Sequence, residues 1–206
     1  MATSSRVGLA PGQYYGKRWI YYSAFGEPDI RPDNWRLKVD GLVERPAEIT
    51  LDELQKLPQT RFQRDFQCVT KWSIRDVQWE GVRLEEIRRI VGVKPEAQWA
   101  VFRCADGYTT PVPVEDALSA DAIVALRMNG APLPRPQGFP ARPFIPHLYG
   151  WKSAKWLTEI EFTPTYSDGY WEQFGYHERG NVWEEERFKS PEGTHHAHRS
   201  TGSAPV

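Results

Sequence analysis

In the stretch Phe66-Gln67-Cys68-Val69-Thr70-Lys71-Trp72-Ser73 a lone cysteine is followed closely by a lysine, a tryptophan and a serine. A thiol in such a setting can serve as buried packing, as half of a disulfide, or as a thiolate ligand for a soft metal. The only other cysteine is Cys104, 36 positions away, and no Cys-x-x-Cys pair exists. A disulfide scaffold or a zinc ribbon is therefore disfavoured. Packing and metal ligation remain open on these residues alone.

Three further groups of residues bear on the choice. In "RPFIPHLYGWKSAKWL", Arg142, Lys152 and Lys155 lie among proline, glycine and aromatic residues. Arginine offers a forked grip on an anion and lysine a compact point charge, so together they suit a phosphate; the plainer alternative is a solvated surface loop. In "FRCADGYTT", Asp106 stands at a strand-to-turn junction. There it can accept hydrogen bonds from a heterocycle, or simply make an Asp-Gly turn. From Tyr166 to Trp183 the chain is dense in Tyr, Trp and His, a composition suited to a lid over a pocket. Clustered histidines near the end (His195, His196 and His198) can bind zinc, copper or nickel, although a flexible tail without a fold to hold such ligands more often does nothing.

The elements that must carry these residues are short. Trp35, Leu37 and Val39 alternate with Arg36, Lys38 and Asp40, the period of a half-buried strand. Thr50 and Glu53 have the spacing of a capping box, so a short helix is expected up to Leu57, before Pro58. "RDFQCVT" reads as a strand that delivers Cys68 near its end. "GVRLEEIRRIVG" spaces Leu84, Ile87 and Val91 as one helical face and stops at Gly92. "QWAVFRCADG" is a strand with a turn and "VEDALS" a short helix. "AIVALRMNG" is a strand ending on Asn-Gly, "GFPARPFIP" is extended by its prolines, and "KWLTEIEFTPT" alternates as a strand. There is no βαβ rhythm, so the expected class is α+β, with mixed sheets and few short helices. Residues 1–18 are expected to form an N-terminal arm, 19–188 the domain, and 189–206 a disordered tail low in hydrophobics.

Composition excludes some partners. Lys+Arg total 26 against Asp+Glu 27, so nothing in the charge balance favours nucleic acid or an anionic membrane. No apolar run is long enough to span a bilayer, and the N-terminus lacks a signal-like apolar core. A cytoplasmic location is expected, or a periplasmic one if a leader has been removed.

Taken in order, "FQCVTKWS…VQWEGVRL", "FRCADGYTT", "ALRMNGAPLPRPQGFPARPFIP" and "GWKSAKWLTEIEF" resemble the molybdenum domain of the sulfite oxidase family. That family includes bacterial methionine sulfoxide reductase catalytic subunits and many short sulfite-oxidase-like oxidoreductases. The resemblance runs from about Trp19 to Tyr176 and implies a sulfite oxidase-type molybdopterin-binding fold with Mo-molybdopterin as cofactor. It assigns Cys68 as the metal ligand and Tyr176 as the active-site tyrosine. Tyr22, Ser23 and Ala24 would contact the pterin, Asp106 would hydrogen-bond it, and Gln137 stands where relatives carry His or Asn. Arg142 falls in the "GFPxR" motif, and Ser153, Ala154 and Lys155 would hold the phosphate. Cys104 is not assigned as a ligand.

The chain also departs from sulfite oxidases proper. Their Arg-Asn-His run near the first segment is replaced by Tyr21-Tyr22-Ser23-Ala24-Phe25, and near Cys68 there is Lys71 or Arg75 in place of an arginine. His177 is a further candidate for steering a substrate. An incomplete anion-binding set and abundant Trp and Tyr shift the expected substrate towards a neutral sulfoxide or other S- or N-oxide, and away from sulfite. No haem-ligand His-Pro-Gly-Gly run occurs, so electrons are expected to pass to a separate partner, a cytochrome or a membrane subunit. The alternative is a pterin-domain protein that has lost catalysis and serves as a binding module.

Overall fold

The computed structural model of the chain describes residues 6–190. The histidines at 195, 196 and 198, and the ends of the proposed arm and tail, lie outside the described residues. The fold is α+β, built among the described residues on two mixed sheets with three short α-helices. In the first sheet, β1 (Tyr14–Tyr15) runs parallel to β5 (Trp72–Arg83), and β5 is antiparallel to β4 (Gln59–Gln67) and β8 (Ile123–Met128). β8 in turn pairs with β9 (Ala131–Pro132) and β10 (Arg142–Phe144). The second sheet has the order β3 (Ala47–Thr50), β2 (Arg36–Gly41), β11 (Leu157–Thr163), β6 (Trp99–Cys104), β7 (Thr109–Pro113), with β2 and β11 parallel.

Local chemistry accounts for the helices. The Thr50 side chain accepts from the Glu53 N–H and the Glu53 carboxylate from the Thr50 N–H, the reciprocal cap that starts α1 (Leu51–Lys56). α2 (Leu84–Val91) buries Leu84, Ile87 and Val91 on one face and ends at Gly92, whose φ of 66° is the left-handed conformation glycine adopts without cost. α3 (Val114–Ala117) is a single turn.

The main core lies between the sheets. Leu37 and Val39 of β2, Phe102 of β6, Ile160 and Phe162 of β11 and the apolar face of α2 meet there. β8 is apolar on both faces because both are covered: Val124 and Leu126 join this core, whereas Ile123 and Ala125 join a second one with Phe66, Trp72, Trp79 and Phe144. A third cluster, Ala10, Tyr149, Trp151 and Val182, ties the N-terminal arm to the segment after β11.

Candidate functional site

The thiol is carried by a hairpin tip. β4 ends at Gln67 and β5 begins at Trp72. The Cys68 N–H donates to the Trp72 carbonyl at 2.9 Å and the Lys71 N–H to the Cys68 carbonyl at 3.1 Å. Val69, Thr70 and Lys71 thus form a three-residue loop, with Lys71 at φ 77° in the left-handed position such loops require. The loop is held from both sides. Gln13 Nε2 donates to the Cys68 carbonyl at 2.8 Å, and Arg187 Nη1 donates to the Val69 carbonyl while Nη2 reaches Pro11. Cys68 is therefore presented at a fixed place, half-buried, with Thr70 Oγ1 3.2 Å from its sulfur. Burial pushes the thiol pKa up, opposed by the Thr70 hydroxyl, the Thr70 and Val69 backbone and the Arg187 charge.

The tip opens on a cavity of about 480 Å³. Eleven of the residues singled out from the sequence line it: Tyr22, Ser23, Ala24, Cys68, Asp106, Gln137, Arg142, Ser153, Ala154, Lys155 and Tyr176. They come from the N-terminal segment, the β4–β5 tip, the β6–β7 turn, the 3₁₀ turn Arg135–Gln137, β10, the turn after Gly150–Lys152 and the loop beyond β11. Two glycines make the convergence possible. Gly138 has φ 99°, and a Cβ there would lie 2.8 Å from the Lys155 Cα; at Gly150 a Cβ would lie 2.3 Å from the Phe66 ring.

One end of the cavity is cationic. The Arg142 guanidinium is buried and donates from Nε to Ser153 Oγ (2.9 Å), from Nη1 to the Gln137 carbonyl and Oε1 (3.0 and 2.8 Å), and from Nη2 to the Ser153 carbonyl (2.6 Å). Every one of these acceptors is neutral. Burial lowers its pKa to about 9. Lys155 donates to the Tyr22 carbonyl and stands 4.4 Å over the Trp156 ring; burial, and then repulsion from Arg142, bring it to about 8. Neither cation has an ion-pair partner among the described residues. A buried guanidinium and a half-buried ammonium face the cavity with no carboxylate in ion-pair contact, Asp106 acting on Lys155 only from further off, and such a pair suits an anion. Beside them Gln137, almost fully buried, has an Nε2 with no hydrogen-bond partner. Asp106 accepts the Tyr108 N–H at Oδ1, and burial raises its pKa. A ligand with an anionic tail and a polar heterocyclic edge would satisfy these groups.

Much of the remaining lining is aromatic. Tyr176 stacks on Trp171 (4.9 Å) and meets Trp151 edge-on (5.1 Å), while Trp19 packs on Phe66 (4.9 Å) near Trp72. Burial first, then the Cys68 sulfur, push the Tyr176 phenol up to about 12. Among the described residues that line the cavity, Arg142 and Lys155 are the only Lys or Arg side chains.

Several expected residues are elsewhere. Lys152, grouped by its type with Arg142 and Lys155, does not reach the cavity. It lies buried behind it, donating to Glu172 Oε1 and the Pro111 carbonyl, each at 2.6 Å, and Glu172 also accepts from Thr110 and Trp151. Lys71 and Arg75 are exposed and off the cavity, Arg75 lying over the Tyr15 ring, and His177 accepts the Arg179 and Gly180 N–H groups. Cys104 is buried in the main core, and both cysteines are free thiols. Trp19, Thr70, Trp72, Tyr108, Trp151 and Trp171 line the cavity without having been singled out as site residues. The abundance of tryptophan signalled four of them, Trp171 also through its place in the aromatic stretch from Tyr166 to Trp183, whereas Thr70 and Tyr108 had no such signal. Arg187, distant in sequence from everything it holds, had none.

Residues 24–171 match the family described as oxidoreductase molybdopterin binding domain. The chain is 42% identical over 154 residues to the uncharacterized oxidoreductase YuiH of Bacillus subtilis, an alignment covering 75% of this chain and 78% of that protein. It is 35% identical over 171 residues to a putative protein-methionine-sulfoxide reductase subunit of Azospira oryzae, covering 82% and 65%. It is 30% identical over 199 residues to the mitochondrial sulfite oxidase of Drosophila melanogaster, covering 82% and 35%. Among solved structures, the sulfane dehydrogenase SoxCD of Paracoccus pantotrophus shares the fold with a TM-score of 0.63 at 24% identity, over 68% of this chain and 41% of that one.

Proposed function

The chain belongs to the oxidoreductase molybdopterin-binding domain family, with Mo-molybdopterin as its cofactor, and on that premise we propose that it transfers an oxygen atom to or from a small neutral substrate at a Cys68-ligated centre. The residues suit the group. Arg142, Ser153, Ala154 and Lys155 would hold its phosphate, and the unpartnered Gln137 Nε2 and the Asp106 carboxylate would meet the polar edge of the pterin. Tyr22, Ser23 and Ala24 would close over it, and the Cys68 thiolate would bind the metal. When bound, the cofactor supplies the oxygen-atom and two-electron chemistry; the protein supplies orientation and electrostatics.

Tyr176 is the proton-bearing group at the thiol end. Its phenol stays protonated throughout the neutral range, so it donates a hydrogen bond to a substrate oxygen as charge gathers there. Trp151 and Trp171 fix its ring and, with Trp19, keep the surroundings apolar. Electrons pass to a separate carrier, a cytochrome or a membrane subunit. No helix among the described residues is long and apolar enough to cross a membrane.

The observation that carries the choice of substrate is the distribution of charge. Among the described residues, the only Lys and Arg side chains lining the cavity are Arg142 and Lys155, and the charge acting on Cys68 comes from Arg187, which is not among the lining residues. An anion such as sulfite would find no cation of its own, whereas a sulfoxide or another S- or N-oxide needs one hydrogen-bond donor and an apolar wall. Metal and pterin are first quantified in the purified protein. Steady-state turnover is then compared between a sulfoxide with a reduced dye and sulfite with an oxidant. The sulfoxide is expected to be the better substrate by kcat/KM; a higher kcat/KM for sulfite would refute the assignment.

A further inference from the structure

We propose that Thr70 is a positioning residue of the centre, its hydroxyl donating a hydrogen bond to the Cys68 sulfur and thereby raising the reduction potential of the metal that sulfur binds; the inference rests on the ligand assignment made above. Thr70 lines the cavity and its Oγ1 lies 3.2 Å from Sγ, within hydrogen-bonding range for sulfur. A ligating sulfur is a thiolate, which can only accept, so the direction of this bond is settled: the hydroxyl gives its proton to sulfur. The contact does not depend on a mobile loop. The left-handed Lys71 closes the tip, Gln13 holds the Cys68 carbonyl and Arg187 holds the Val69 carbonyl, so the threonine is fixed one residue from a clamped peptide. A hydrogen bond to a ligating sulfur withdraws electron density from it and favours the reduced metal, the lever by which outer-shell donors set potentials in sulfur-ligated centres.

Thr70→Val keeps the β-branched shape and removes only the hydroxyl, while Thr70→Ser keeps the hydroxyl and removes the methyl. Both are made in the holoenzyme, and molybdenum per chain is measured alongside. One readout is the sulfur-to-molybdenum charge-transfer absorption; the other is the midpoint potential of the metal from an EPR-monitored redox titration. In Thr70→Val the potential is expected to become more negative and the absorption to move to longer wavelength; Thr70→Ser is expected to restore both. If Thr70→Val, fully loaded, keeps the wild-type potential and absorption, the inference is overturned while the ligand assignment stands. If loaded Cys68→Ser keeps the wild-type absorption, the ligand assignment itself fails and takes this inference with it.

Discussion

Arg142 offers the sharpest test of the cationic end. Its pKa is lowered from 12.5 to about 9 by burial, with only neutral acceptors around it. At about 1.4 kcal/mol per unit, that is a strain on the order of 5 kcal/mol in the cofactor-free chain, which an anion in the cavity would relieve. Arg142→Ala removes the charge and four donated hydrogen bonds. Charge-assisted bonds contribute ~1.5–3 kcal/mol each, so loss of the one bond that a phosphate would receive weakens cofactor retention by roughly 10- to 150-fold. Arg142→Lys restores a point charge without the fork and should fall between the two. The assay is molybdenum and pterin per chain after exhaustive gel filtration, with thermal melts of the cofactor-free forms separating lost affinity from lost fold. The pH dependence provides a second check. Lys155 and Arg142 bind an anion in their charged forms, with pKa values of about 8 and about 9, so inorganic phosphate should stabilise the cofactor-free protein at pH 7 and lose its effect as pH rises through that window. Conversely, because both folded pKa values lie below the unfolded ones, the strain is fully present below pH 8 and the cofactor-free fold gains stability above it. Wild-type cofactor retention in Arg142→Ala, or phosphate stabilisation that does not change between pH 7 and 10, would refute the reasoning.

Three further outcomes are expected. Cys68→Ser should unfold within about 1 kcal/mol of the wild type, since the side chain is half-buried at a loop tip held by backbone contacts, while turnover falls to background; a variant turning over at the wild-type rate would remove the ligand. Tyr176→Phe keeps its three aromatic contacts, with Trp151, Trp171 and Phe188, and loses one hydrogen bond to the reacting oxygen, so kcat should drop roughly 100- to 1000-fold, and the wild-type kcat should show no break from this group below pH 11. Glu172→Gln leaves the buried Lys152 charge without its carboxylate and should destabilise the fold by ~3–5 kcal/mol in denaturant melts, with thiol-end chemistry unaffected in the molecules that remain folded.

How far the chain was legible depended on whether a residue's environment is set locally. The cap at Thr50, the stop at Gly92 and the alternation of β2 and β11 follow from near neighbours, and each stands as read. β5 was not legible as a strand twelve residues long, because it changes environment along its length. It pairs with β1 at its start and β8 at its end, so its burial follows no single period. β7 was hidden by Pro111 and Pro113, which it tolerates as an edge strand with a neighbour on one side only.

The two lysines of "GWKSAKW" show why the site itself was only partly legible. Both are cations in the same short segment, and composition offers no way to distinguish them. The single 3₁₀ turn Gly150–Lys152 sends Lys152 away from the cavity, into a pocket of carbonyls and the Glu172 carboxylate. Three residues later the chain, its path set by the close approach of Gly138 to Lys155, delivers Lys155 to the cavity, where no carboxylate among the described residues is in ion-pair contact and Asp106 acts from further off. The first charge is neutralised within the fold and braces the aromatic wall through Trp151. The second is offset only in part, by Asp106 and Glu27, and with Arg142 it leaves the cavity with positive charge that an anion would complement. What separates the two lysines is therefore a buried carboxylate in direct contact, and that carboxylate, Glu172, lies twenty residues along the chain from Lys152.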